Sequence, residues 1–244
     1  MTRAQVQLFV LVGLLFFLGA LVLPALAQMR EAEGRLQSVN NLKQLGISMH
    51  NFYSAHKRMP LMGGKHPVAQ GSTFFHLLPY IEQDFLYRMA EKDSWAIADS
   101  VIPVLTDPRD TSAADYPYQK LIATTSYAGN WQVFNGKYTL LVPDGTSNTL
   151  AFVNRFQVCS GTPNAWAYSR LYTWSPMFGY YSTAMFQTNP RQADCDPYVG
   201  QAIGPIMLAS LCDGSARSVA PSVSPLTWYC ATDPADGLSL GNDW

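Results

Sequence analysis

From Leu8 to Ala27 apolar residues follow one another with no charged side chain among them. As a helix rising about 1.5 Å per residue, that run is roughly 30 Å long, the thickness of one bilayer hydrocarbon core. No turn signal ends it. Gln28-Met29-Arg30-Glu31-Ala32-Glu33 is helix-forming sequence, and beyond it Leu36, Val39, Leu42, Leu45, Met49 and Phe52 recur every three or four residues, with His56 continuing the step. Lys43, Gln44, Ser48 and Asn51 fall largely off that stripe. The pattern predicts one helix running to about Ser54. Its first part, residues 1–27, is expected to span the membrane, with residues 8–27 in contact with lipid. Its second part, residues 28–58, is expected to pack the stripe on a globular domain. Pro24 predicts a kink in the membrane part, because it removes a helical donor.

Past residue 58 the period shortens, and helical spacing persists only around His76 to Glu91. Thr139–Val142 and Thr149–Val153 are short apolar runs on either side of Pro143-Asp144-Gly145, and Asp-Gly readily takes the positive φ of a tight turn. Ile206–Leu211 and Ala216–Ala220 flank Asp213-Gly214-Ser215 in the same way. Two hairpins are therefore predicted. Stretches 60–72, 106–120 and 154–200 are rich in Pro, Gly, Asp, Asn and Ser and are expected to be loops or insertions. The predicted class is α+β, a long N-terminal helix packed on one face of an antiparallel β-sheet, with residues 59–244 forming a β-rich domain outside the cytoplasm.

Composition narrows the function. A net charge of −1 leaves no electrostatic footprint for nucleic acid. With 13 Tyr, 12 Phe and 6 Trp the chain has ample material for a core, so it is not a disordered protein. Cys159, Cys195, Cys212 and Cys230 all lie in the last third, and an even number outside the cytoplasm predicts two disulfides, with three pairings open. Basic residues flank both sides of the apolar run, so charge does not orient it. The short tail before it favours a cytoplasmic N-terminus and an extracytoplasmic C-terminal domain. The competing reading is a secreted binding module: Ala25-Leu26-Ala27 has the small-x-small pattern of a signal-peptidase site. Released after Ala27, such a module would bind through the aromatic segment 166–181, which holds Trp166, Tyr168, Tyr172, Trp174, Phe178, Tyr180 and Tyr181.

Catalytic signatures are missing. There is no GxSxG elbow, no phosphate-binding glycine loop and no dinucleotide fingerprint. His50, His56, His66 and His76 cluster in sequence without metal-ligand spacing, so a non-enzymatic protein is expected. The one metal-like pattern is Asp233, Asp236 and Asp243 around Gly237, hard oxygen ligands of the kind calcium takes, though not at EF-hand spacing.

Several segments in order resemble the DUF1559 family. They are Leu23-Pro24-Ala25, Arg30-Glu31-Ala32, Asn40-Asn41-Leu42-Lys43-Gln44-Leu45-Gly46, Met49-His50-Asn51-Phe52, Leu78-Pro79-Tyr80-Ile81-Glu82-Gln83, Ser126-Tyr127-Ala128-Gly129-Asn130, Asp144-Gly145-Thr146-Ser147-Asn148-Thr149 and Cys212-Asp213-Gly214-Ser215. The resemblance implies a pilin-like protein with a prepilin-type N-terminal helix, a structural role in membrane display, and homo- or hetero-oligomers formed through that helix, as in a minor pseudopilin. The pseudopilin likeness also lends the C-terminal aspartates their calcium reading. Two departures stand out. Arg3-Ala4-Gln5-Val6-Gln7-Leu8 lacks the glycine and glutamate of the prepilin cleavage motif, and Ala202-Ile203-Gly204-Pro205 stands where the family tends to carry a histidine.

Overall fold

The expected N-terminal helix forms as α1 (Arg3–His56) and contains Pro24. It ends where Lys57 turns to φ 56° and its N–H caps the Tyr53 carbonyl, two residues before Met59-Pro60. The protein is seen in a computed structural model that describes residues 3–63, 65–66, 69–90, 92–114, 116–118, 120–139, 142–170, 172–180 and 184–244, without the side chains at 4, 6, 8–10, 15, 18, 19, 21, 65 and 66. Among the described residues no helix is long and apolar enough to cross a membrane. The expected span, residues 8–27, lies within α1, but several of its side chains are outside that description.

After α1 come β1 (Lys65–His66), β2 (Ala69–Gln70), α2 (Thr73–Leu77) and α3 (Asp84–Met89), the last two joined by a 3-10 turn at Leu78–Ile81. Then follow β3 (Tyr127–Asn130), α4 (Trp131–Phe134), β4 (Leu150–Asn154), β5 (Val158–Cys159), β6 (Thr162–Pro163), β7 (Met177–Phe178), β8 (Gln187–Thr188), β9 (Gln201–Ala202), β10 (Met207–Leu211), β11 (Ala216–Val219) and α5 (Pro225–Thr232). The main sheet has the order β11-β10-β4-β3-β7. The α+β class holds, but the sheet is mixed rather than antiparallel, because β7 pairs parallel to β3. The Asp213-Gly214-Ser215 hairpin forms: Met207 pairs with Val219 and Ser210 with Ala216, across Gly214 at φ 85°. The other predicted hairpin does not. Gly145 turns at φ 95°, but β4 takes β3 and β10 as neighbours, Val142 is not in a strand, and positions 140 and 141 lie outside the described residues.

Each face of the sheet carries its own core. On one, Leu42, Leu45, Met49 and Phe52 of α1 join Tyr127, Phe152, Leu208 and the α2 residues Phe74, Phe75 and Leu77. On the other, Val153, Met207, Ala209 and Val219 meet Phe178, Phe186 and the α5 residues Trp228 and Ala231. Covering both faces explains why β4 and β10 are buried at every position and are apolar apart from Asn154 and Ser210. The sequence reading missed α5, although Ser224 caps it by accepting the Thr227 N–H and Pro225 occupies its first turn.

The helix stripe needs correction at its upper end. Leu36 is 65% exposed and Val39 only half-buried, whereas Gly34, Ser38, Asn41 and Ser48 are buried. Small and polar residues therefore take the inward face there, and Ser48 is accommodated by donating to the Leu45 carbonyl at 2.8 Å. At Gly46 a Cβ would come 2.8 Å from the Gly214 Cα, so helix and hairpin backbones meet at a spot only glycine fits.

Candidate functional site along the N-terminal helix

Before Gly34, every described side chain of α1 is exposed. Leu11, Val12, Leu14, Phe16, Phe17, Val22, Leu23, Leu26 and Met29 are 44–78% exposed. About 30 residues of helix thus project roughly 45 Å beyond the first buried turn. An apolar surface of that extent marks a contact with a membrane or a partner.

Where the rod meets the body, Ala27, Ala32, Leu36 and Val39 face Pro205, Ile206 and Arg109 across a largely apolar groove of about 840 Å³. The exposed Leu36 belongs to this groove rather than to the core. Arg35 crosses to β11, donating to Ser218 Oγ at 2.9 Å.

Beneath the groove a buried polar network fastens helix to sheet. Ser38 Oγ lies 3.1 Å from Tyr127 Oη, and Asn41 Nδ2 donates to Tyr127 Oη at 3.2 Å and to the Thr106 carbonyl at 3.0 Å. Asn154 Nδ2 donates to Asp107 Oδ2 at 3.3 Å, while its own Oδ1 accepts the Leu208 N–H. The Arg109 guanidinium grips Asp107 at 3.0 and 2.7 Å and reaches Glu31 of α1 at 3.3 Å. The expected loop 106–120 thus supplies two central members, Asp107 and Arg109. The available signal was the run Gly34, Ser38, Asn41, Leu45, a helical period with polar members.

Burial, reinforced by the charge of Asp107, pushes the Tyr127 phenol well above its usual range, and burial beside Asp213 does the same to the Cys212 thiol. A group whose folded pKa is raised contributes stability below its unfolded pKa and loses it as pH rises. The unfolding free energy is therefore expected to fall above about pH 8.5 for Cys212, and more steeply above about pH 10 once Tyr127 joins, by about 1.4 kcal/mol per pH unit per group. Urea titrations between pH 8 and 11 check this. Cys212→Ala should reduce the first slope, leaving the part that Cys230, whose thiol is also pushed up, contributes, and Tyr127→Phe should reduce the second; unchanged slopes would refute the assignment.

The other expected sites fare differently. Cys159 and Cys195 form a disulfide, but Cys212 and Cys230 are free and buried, so one bridge forms where two were expected. Cys212 follows β10 in the α1-side core and Cys230 lies in α5 on the opposite face of the sheet. Asp233, Asp236 and Asp243 do not assemble as expected for calcium: among the described residues no group of three metal-capable side chains occurs. Asp243 accepts from Ser224 N and Thr227 Oγ1 at the start of α5, whereas Asp233 and Asp236 accept the N–H groups of Ala235 and Leu238 in their own loop. His56 lies 3.3 Å from Tyr80 Oη, its pKa lowered by burial and by Arg58. His76 is buried among Phe52 and Phe75. The side chain of His66 is outside the described residues. The aromatic segment 166–181 divides: Trp166 and Phe178 are core, Tyr172 and Tyr180 are exposed, and Tyr181 is outside the described residues.

Residues 27–113 match the model of a family described as a protein of unknown function, DUF1559. No curated protein and no solved structure matches the chain.

Proposed function

We propose that the chain, whose residues 27–113 match the DUF1559 family model, is a non-enzymatic, pilin-like structural protein, anchored in a membrane by the first half of α1 and displaying its α+β body outside the cytoplasm. The observation that carries the proposal is the projecting apolar rod. Nine large apolar side chains, Leu11 to Met29, are exposed to nothing the chain itself supplies. At about 1.5–3 kcal/mol each, hiding them from water is worth on the order of 20 kcal/mol, more than most folds have in total. Hydrocarbon, or sister helices within it, is the medium that suits residues 8–27. The Cys159–Cys195 disulfide supports an oxidising compartment for the body. The groove beside Leu36 and Val39 gives a neighbouring helix a place to dock, which suits a minor, pseudopilin-like subunit.

Membrane fractionation with an alkaline carbonate wash tests the reading. Full-length chain is expected to stay in the pellet, and a variant lacking residues 1–29 to move to the supernatant with its body folded. A mature protein whose mass shows it beginning at Gln28, free in the supernatant, would overturn the anchor and favour the secreted binding module.

A further inference from the structure

A second surface lies between β2, the 3-10 turn Ser94–Ile97 and segment 166–170. The backbones at Gln70 and Asp93 run side by side, joined by a parallel bridge and by the Gln70 N–H to the Lys92 carbonyl at 2.8 Å. Asp93 spends one carboxylate oxygen on the Trp95 N–H at 3.0 Å, capping the 3-10 turn Ser94–Ile97, and that turn holds Trp95 out, 42% exposed. The facing wall is segment 166–170, fixed from beneath by buried bonds. Ser72 Oγ donates to the Trp166 carbonyl, Ser94 Oγ to the Ala167 carbonyl at 2.6 Å, and Trp166 Nε1 to the Ser100 carbonyl at 2.9 Å. The resulting ring row is Trp95 edge-on to Tyr168 at 5.7 Å, with Tyr168 a further 5.7 Å from Trp174.

Between these walls is a cavity of about 310 Å³ lined by Gln70, Asp93, Trp95, Tyr168, Ser169 and Arg170. That is the lower end of the size range of small-ligand sites, about 300–1,000 Å³. Its chemistry is mixed in a particular way: aromatic plates beside hydrogen-bonding groups with capacity to spare. Among the described residues the second oxygen of Asp93 accepts no bond and the Arg170 guanidinium makes no hydrogen bond or ion pair, while the Gln70 amide gives one N–H to Ser169 Oγ at 3.5 Å and keeps the other. A pyranose ring presents the matching surface, an apolar C–H face and a rim of hydroxyls that both donate and accept. A purely apolar ligand would leave Asp93 and Arg170 unmatched, and an anion would meet the Asp93 carboxylate.

We infer that Trp95 and Tyr168, with Asp93, Gln70 and Arg170 at the rim, form a subsite for a neutral sugar unit of a glycan chain. Trp95 carries the ring face, and Tyr168, edge-on to it, walls the side. Asp93 accepts from a pair of hydroxyls, and Arg170 and Gln70 donate to them.

The test uses full-length protein in detergent micelles, with cellohexaose and chitohexaose as probes, read by tryptophan fluorescence and titration calorimetry. At least one hexasaccharide is expected to bind with a Kd between about 10 μM and 1 mM. Trp95→Ala should weaken binding at least about tenfold, as loss of a stacking plate does. Asp93→Asn keeps an oxygen for the Trp95 cap and alters only the rim, so it tests the site even if Trp95→Ala fails to fold; it should weaken binding by about threefold or more. Absence of binding by both sugars up to about 10 mM overturns the inference. So does binding that is unchanged in a folded Trp95→Ala or Asp93→Asn protein.

Discussion

Arg155→Met is expected to lower the unfolding free energy by about 3–5 kcal/mol, a large share of what a domain this size has. Arg155 is buried, and its guanidinium donates from Nη1 to the carbonyls of Ser175 at 2.6 Å and Met177 at 2.9 Å, and from Nη2 to that of Thr173 at 2.7 Å. The chain turns at Thr173–Ser175, where the Ser175 N–H bonds the Tyr172 carbonyl, before entering β7, and the three carbonyls converge on one planar group. No carboxylate among the described residues pairs with it, and burial pushes its pKa down to about 10. Methionine would remove the buried charge, which favours the variant, but would take a donor from three carbonyls, of which only that of Ser175 keeps another, the Met177 N–H at 2.8 Å. At about 1–3 kcal/mol for each of the other two, and a smaller loss at Ser175, the deprived carbonyls win. Arg155→Lys should recover only part of the loss, because an ammonium cannot reproduce the planar fork. Urea unfolding decides it: a methionine variant within about 1 kcal/mol of the parent would mean the 173–177 segment holds without its arginine.

Periodicity made the long helix and the second hairpin legible. Leu42, Leu45, Met49 and Phe52 are spaced for one face, and Asp213-Gly214-Ser215 separates two apolar runs of strand length. It failed at β7 and α5 for different reasons. β7 has two residues and joins the sheet only through a parallel pairing with β3, a long-range contact that local pattern does not encode. α5 has eight residues, too few to establish a helical stripe, although its serine cap and proline were visible. The false hairpin at Asp144-Gly145 kept its turn but changed partners. Asp144 accepts from the N–H groups of Asp236 and Gly237, so the turn serves the C-terminal tail.

Of the candidate surfaces, the rod was evident from the apolar run alone, while the features that give it direction were not. Leu36 fits the helical stripe but faces a groove, because the helix is held at that level by Ser38 and Asn41 rather than by apolar packing. Trp95 stood outside the aromatic segment 166–181, and only the fold brings it beside Tyr168. Likewise the aspartates at 233, 236 and 243 looked like a ligand set, yet the fold engages each carboxylate in a separate turn or cap.

Asp107→Ala is expected to cost about 3–5 kcal/mol and to loosen α1 at its junction with the body. Asp107 is fully buried and receives the Arg109 main-chain N–H at 2.9 Å, two guanidinium bonds and the Asn154 amide. Arg109 is itself nearly enclosed, its side chain 8% exposed, so without Asp107 its charge retains only the surface carboxylate of Glu31 at 3.3 Å. An exposed partner at that distance contributes at most about 1 kcal/mol. Coupling is the sharper measurement. Arg109→Met on top of Asp107→Ala should be milder than the sum of the single changes by at least about 1 kcal/mol, since the double variant no longer buries an unpaired charge. Hydrogen exchange in residues 34–41 should accelerate in Asp107→Ala while residues 45–52, packed in the apolar core, stay protected. Additive effects, or equal acceleration along both stretches, would show that the clamp does not hold the helix separately. A rod that swings at Gly34 could not orient the body relative to its anchor, so the polar network is what would turn a tethered domain into a directed one.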